Sequence, residues 1–251
     1  TRTTAFLKPC LFGACMIGND WVALGLTLGL AILWLRLNDF FAFRGWVSGQ
    51  LSRKMIHLGT GPIFVLCWLF FSDAGLARWL AALVPGAITL QFFLVGTGII
   101  QDEQAVKAMS RTGDRREVLR GPLFYGMVFV IFTLVFWKDS PVAIVALMLL
   151  CGGDGLADMV GKRFPSATLP WSPKKTLLGS LGVFFGGAVL SALVISVYIS
   201  QHVLQEPLSA YLPGVFVISL AGMAVESLPW RDIDNLTVPA VAALLGLLFW
   251  G

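Results

Sequence analysis

The 251-residue chain is 57% hydrophobic and only 13% charged, with a mean hydropathy of +0.82. Soluble domains carry about one charged residue in four. The composition therefore excludes an ordinary water-soluble globule and points to one polytopic membrane domain over residues 1–251. The net charge of +4 arises from basic residues in short loops between apolar runs, a pattern of membrane topology rather than of nucleic-acid binding.

The apolar runs predict an all-α transmembrane helix bundle of about eight spans, seven to nine at the limits. Residues 1–20 form an N-terminal segment on the outer side, opening on Thr1 with no readable signal or transit peptide. The spans fall at 21–41, 55–72, 79–100, 121–137, 141–160, 177–200, 211–228 and 236–250. Alternation then places 36–54, 101–120, 161–176 and 226–235 on the inner side. These segments hold fourteen of the eighteen Lys and Arg residues, leaving Arg2, Lys8, Arg78 and Lys138 outside. That asymmetry supports both the count and the orientation. Cys10, Cys15, Cys67 and Cys151 show no metal-ligand spacing and suggest no disulfide framework.

The chemistry-bearing stretches, 36–58, 101–120, 152–180 and 226–235, all lie on that inner side. First comes "RKMIH", where Arg53, Lys54 and His57 lead into the second span as phosphate-binding candidates, Arg53 and His57 one turn apart on a shared face; the plainer alternative is a pair of span anchors and a structural histidine. The loop "QDEQAVKAMSRTGDRREVLRGP" predicts a short helix over 101–110, then a mixed-charge turn with Arg115 and Arg116 as further anion-binding candidates.

"CGGDGLADMVGKRF" follows the fifth apolar run. A helix over 141–160 is about 30 Å long, and Asp154 and Asp158 lie one turn apart on one face. Like charges at that spacing repel, and each carries a desolvation cost near a membrane. A divalent cation relieves both costs, and Mg²⁺ suits a few carboxylates with water and phosphate oxygens. Gly153 and Gly155 leave room for a ligand at the backbone. The plainer alternative is a wet helix end neutralised by Lys162 and Arg163.

In "LPWSPKKTLLGS", Ser172-Pro173 reads as an N-cap and first-turn proline. That places Lys174 and Lys175 at a positive helix pole, which is favourable when an anion sits among them. Thr176 and Ser180 add hydroxyls, and Gly179 keeps the face open. The plainer alternative is a pair of topogenic lysines. Glu226, with Asp232, Asp234 and Asn235 after it, offers a third metal ligand or a base. Carboxylates closing one helix and cations opening the next are the two halves of a metal–polyphosphate site.

At these residues the sequence resembles the membrane-bound phytol/farnesol kinases, within the polyprenol kinase family that includes dolichol kinase. The matching stretches are "RKMIH", "KAMSRTGDRREVLRGPLFY", "SPVAIV", "CGGDGLADMVGKRF", "LPWSPKKTLLGS" and "ESLPWRDIDNLTVP", in family order over residues 53 to 240. The resemblance implies a CTP-dependent kinase that phosphorylates an isoprenoid alcohol (phytol, farnesol or geranylgeraniol) drawn from the surrounding membrane lipids. Asp154 and Asp158 would match the acidic motif and hold Mg²⁺. Lys174 and Lys175 would match the basic motif, and Asp158 or Glu226 would serve as base. Thr176 stands where Ser is common, and Trp230-Arg231 interrupts the last acidic patch. The family setting implies a plastid membrane, or a cyanobacterial or other bacterial inner membrane. Two other readings stay open. Phosphatidate cytidylyltransferases share an "SPxKTxEG" element, although Leu178 here replaces its Glu. A transporter or scaffold would show related halves, and none is visible.

Overall fold

The computed structural model describes residues 18–103, 105, 106, 110, 113–230 and 233–251, with the side chains of positions 39, 49, 50 and 53 excepted. Nine α-helices are described: α1 (Asp20–Phe43), α2 (Gly49–Cys67), α3 (Ala77–Thr97), α4 (Gly121–Val135), α5 (Pro141–Met148), α6 (Asp154–Arg163), α7 (Leu177–Ser200), α8 (Leu208–Glu226) and α9 (Asp234–Trp250). Six stretches among the described residues are long and apolar enough to cross a membrane, so the fold is the expected helical membrane bundle. Two of the eight expected spans, the second and the last, fall short, with apolar helical stretches of Lys54–Phe70 and Asp234–Trp250.

Local signals set most boundaries. The Asn19 and Ser48 side chains cap α1 and α2 by accepting from the Trp21 and Leu51 amides. Gly98 closes α3 at φ +83°, a left-handed conformation suited to glycine. The short helix expected over 101–110 falls partly outside the described residues, although Asp102 Oδ1 accepts from the Ala105 amide at 2.9 Å.

The fifth span differs from the uninterrupted helix that its sequence predicts. It runs from Pro141 to Arg163 but contains a π-helical segment, Leu149–Gly153, immediately before Asp154. Such wide turns re-aim the side chains that follow them. All eight residues of α5 are buried, so the most central helix meets other helices rather than lipid. Val142 of α5 packs on Gly246 of α9. The two methyl groups of Leu149 nest against Gly187 of α7 and Gly222 of α8.

The contact of this span with α7 is a run of small residues. A β-carbon added at Gly152 would lie 2.7 Å from the Gly186 carbonyl oxygen, and one at Gly182 would lie 3.0 Å from Ala157 Cα. Backbones approach this closely only where side chains are missing, a common device for packing helices in lipid.

Two ends of the bundle can be told apart. Asp20 accepts from the Ser72 amide and hydroxyl, both at 2.8 Å, and Lys138 pairs with Asp73 at 2.9 Å at one end. The starts of α2, α6, α7 and α9 gather at the other.

Candidate active site

Asp154 and Asp158 project from the first two turns of α6 towards the start of α2. Lys54 lies between them, its Nζ 3.5 Å from Oδ2 of each carboxylate. His57 Nε2 approaches the same Asp154 Oδ2 at 3.2 Å. Lys162, one turn beyond Asp158, reaches both of its oxygens, at 2.8 and 2.9 Å. The lysine side chain between the acids is only 18% exposed, so its charge is weakly screened and offsets their repulsion effectively. Arg163 is exposed, and the Arg53 side chain lies outside the described ones.

A second acid–lysine cluster stands nearby. Lys175 Nζ is 2.9 Å from Glu226 Oε1 and 3.8 Å from Asp234 Oδ2, and it also donates to the Glu226 backbone carbonyl. Here the structure corrects the expected helix start. Residues 172–176 form strand β2 (Ser172–Thr176), paired antiparallel with β1 (Thr168–Leu169), and α7 begins only at Leu177. Lys174 and Lys175 therefore lie on a small hairpin, not in a first helical turn, and Lys174 is exposed. Trp171 at the hairpin tip donates Nε1–H to Ser227 Oγ at 3.3 Å, tying the hairpin to the end of α8.

The start of α7 is not an open anion cradle. The Leu177 amide donates to the Ala167 carbonyl, Leu178 to Ser166 Oγ and Gly179 to Thr176 Oγ1. Thr176 thus acts as the N-cap, and the donors that a phosphate needs are already engaged. Ser180 is buried, with no hydrogen-bond partner for its hydroxyl among the described residues. Gly153, Gly155 and Gly179 are packing glycines. The first two face Val183 and Leu58, and Gly179 meets the Ala157 carbonyl and Gly161 of α6.

The two clusters meet at one narrow cleft lined by Asp154, Glu226, Asp234 and Asn235 on its polar side and by Leu149, Leu150, Val183 and Val238 on its apolar side. Asn235 donates to the Gly121 carbonyl at 3.3 Å and thereby anchors the start of α9 to α4. Arg115 packs its guanidinium against Gly98, and Arg116 is exposed; among the described contacts neither reaches the two clusters.

No family model and no solved structure matches the chain. Curated relatives do. The probable chloroplastic phytol kinase of Triticum aestivum is 38% identical over 240 residues, covering 95% of this chain and 80% of the relative. The chloroplastic farnesol kinase of Arabidopsis thaliana is 37% identical over 246 residues, covering 97% and 80%. Phytol kinase 1 of the same plant is 35% identical over 210 residues, covering 83% and 69%. The chain belongs to the phytol and farnesol kinase family.

Around this cleft and its margin, carboxylates are paired with lysines. Among the described residues no three His, Cys, Asp or Glu side chains cluster closely enough to enclose a metal. Asp154 and Asp158 nevertheless present hard oxygens one turn apart with an ammonium held between them. That donor set fits a magnesium ion that keeps water and phosphate oxygens in its remaining positions.

Two members of the site are not legible as such in the sequence. Tyr125 stacks on His57 with ring centroids 4.4 Å apart, and its hydroxyl lies 3.0 Å from Cys151 Sγ. Tyr125 ends the stretch "LRGPLFY", but nothing in its spacing links it to a histidine 68 residues earlier.

Proposed function

We propose that this kinase transfers the γ-phosphoryl group of CTP to the primary hydroxyl of an isoprenoid alcohol at the membrane surface, giving CDP and the alkyl monophosphate. One observation carries the reading: Asp154, paired through Lys54 with Asp158, lines the same cleft as Glu226 and Asp234, the two partners of Lys175, with an aliphatic face beside them. Acidic, cationic and aliphatic side chains thus meet at one place, the groups needed to bring a charged donor to an oily acceptor. The relatives, chloroplastic phytol and farnesol kinases by name, favour phytol, farnesol or a similar alcohol, and a chloroplast membrane.

The new bond joins the alcohol oxygen to the γ-phosphorus, and the bond from that phosphorus to the β–γ bridging oxygen breaks. Asp154 would hold the divalent ion, with Asp158 joining it where Lys162 gives way, and the ion when bound would supply charge neutralisation at the phosphate oxygens. Lys54 and Lys162 add positive charge beside the acid pair, and Lys174 and Lys175 add it from the hairpin. The alcohol proton passes to Glu226. This carboxylate lines the cleft with Asp154 and has one oxygen engaged by Lys175, whereas Lys162 occupies both oxygens of Asp158. Leu149, Leu150, Val183 and Val238 exclude water beside the reacting oxygen.

The test uses the purified protein with Mg²⁺ and CTP labelled at the α or the γ phosphate, offered phytol, farnesol, geranylgeraniol or phosphatidic acid. Label is expected to pass from the γ position to an alcohol. Appearance of α-label in phosphatidic acid with release of pyrophosphate would replace this reading with nucleotidyl transfer. Absence of turnover with every acceptor, in protein shown to be folded, would end it.

A further inference from the structure

The sequence groups His57 with the phosphate-facing cations, but the fold turns it elsewhere. Its Nε2 atom is wholly buried, 3.2 Å from Asp154 Oδ2 but outside hydrogen-bond geometry, so the contact is a close electrostatic one, and a phosphate cannot reach that nitrogen without displacing the carboxylate. Lys54 contacts the same oxygen. Both contacts therefore fall on Oδ2, and Oδ1 is the oxygen left for a ligand.

His57 is itself held from behind. Its ring lies on Tyr125, whose hydroxyl is 3.3 Å from the His57 carbonyl oxygen and 3.0 Å from Cys151 Sγ. Cys151 Sγ in turn sits against Gly61, one helical turn beyond His57, in space that any β-carbon would fill. Helix α2, helix α4 and the π-helical segment are thus interlocked around this imidazole.

We propose that His57 is a positioning residue for Asp154, fixing the carboxylate through Oδ2 so that Oδ1 is presented to the cleft, and that Tyr125 holds His57 in that orientation. The proposal rests on the role given to Asp154 above. The Asp154 side chain is 43% exposed, so without such a tether it would sample several rotamers. Outer partners of this kind orient the groups that bind a metal, and losing one costs about 10- to 100-fold in affinity or activity.

The test compares His57→Ala, His57→Gln and Tyr125→Phe in the full-length protein in lipid nanodiscs, with folding followed by thermal unfolding. His57→Ala is expected to lower kcat by about 10- to 100-fold with KM for CTP unchanged, since the group acts through Asp154 rather than on the nucleotide. Glutamine carries a donor at the Nε2 position, so His57→Gln should recover activity to within about threefold. Tyr125→Phe should lose about five- to tenfold. A readout independent of turnover is Mn²⁺ binding without nucleotide, measured by electron paramagnetic resonance: about tenfold weaker in His57→Ala and restored in His57→Gln.

A raised KM for CTP with intact Mn²⁺ binding would make His57 a phosphate ligand and overturn the proposal. So would a glutamine variant as impaired as the alanine one. If alanine at position 57 unfolds the protein, a Tyr125→Phe protein with full rate and full Mn²⁺ affinity overturns the role of Tyr125. His57→Ala at the wild-type rate beside an inactive Asp154→Asn overturns the positioning role alone. A fully active Asp154→Asn overturns the reading of the site and this proposal with it.

Discussion

Asp154→Asn is expected to lower γ-phosphoryl transfer by on the order of 10³-fold while the protein still inserts and folds. The substitution keeps the shape of the side chain and removes one negative charge. Lys54 and His57 both lie close to Asp154 Oδ2, and an amide oxygen in that place keeps a partial negative charge towards them. Removing the charge also relieves the repulsion with Asp158, so thermal stability should stay close to that of the parent. The loss therefore reports on the chemistry and not on the scaffold. Asp158→Asn should cost less, about 10- to 100-fold, because Lys162 already engages both of its oxygens. Turnover of labelled CTP beside a thermal unfolding curve checks both. An Asp154→Asn protein retaining a tenth or more of its rate would show that this carboxylate does not hold the metal.

Gly186→Val should abolish the folded protein rather than merely slow it. At Gly186 a β-carbon would overlap the backbone carbonyl of Gly152 and crowd Leu156, and a backbone group cannot rotate away. Overpacking a well-filled core costs about 1–3 kcal/mol, and more where neighbours cannot yield. Here the displaced element is the π-helical segment that aims Asp154. Loss of the monodisperse peak in detergent is the measurement. Gly25→Ala in α1 is the matched control: nothing lies within 4 Å of a β-carbon there, so it should be neutral or stabilising by about 0.5–1 kcal/mol. A Gly186→Val protein as stable as that control would show that the α7 contact is not tight.

The bundle was readable from the sequence because hydrophobic runs and loop charges are strong, additive signals. Leu177–Ser200 matches its expected span residue for residue. The site was readable as a set of residue types, and the fold does gather Lys54, His57, Asp154, Asp158, Lys175 and Glu226 around one cleft or its margin. What stayed hidden depends on long-range contacts. Ser172-Pro173 satisfies the local rule for a helix start. The hairpin there is instead held by Trp171 on Ser227 and Lys175 on Glu226, more than fifty residues away in the chain. The π-helical turn leaves no periodic trace, since "CGG" has few side chains to reveal a register. Its position is fixed by the close approach of Gly152 to Gly186.

The complete burial of α5 has a consequence for biosynthesis. During synthesis Pro141–Met148 leaves the ribosome long before α9, which supplies Gly246 to cover Val142 and Asp234 to face Lys175. Until the final helix arrives, the middle of the bundle has one flank turned to lipid and the cleft lacks Asp234, Asn235 and Val238. A prematurely terminated chain would thus insert its earlier helices yet never assemble a working centre.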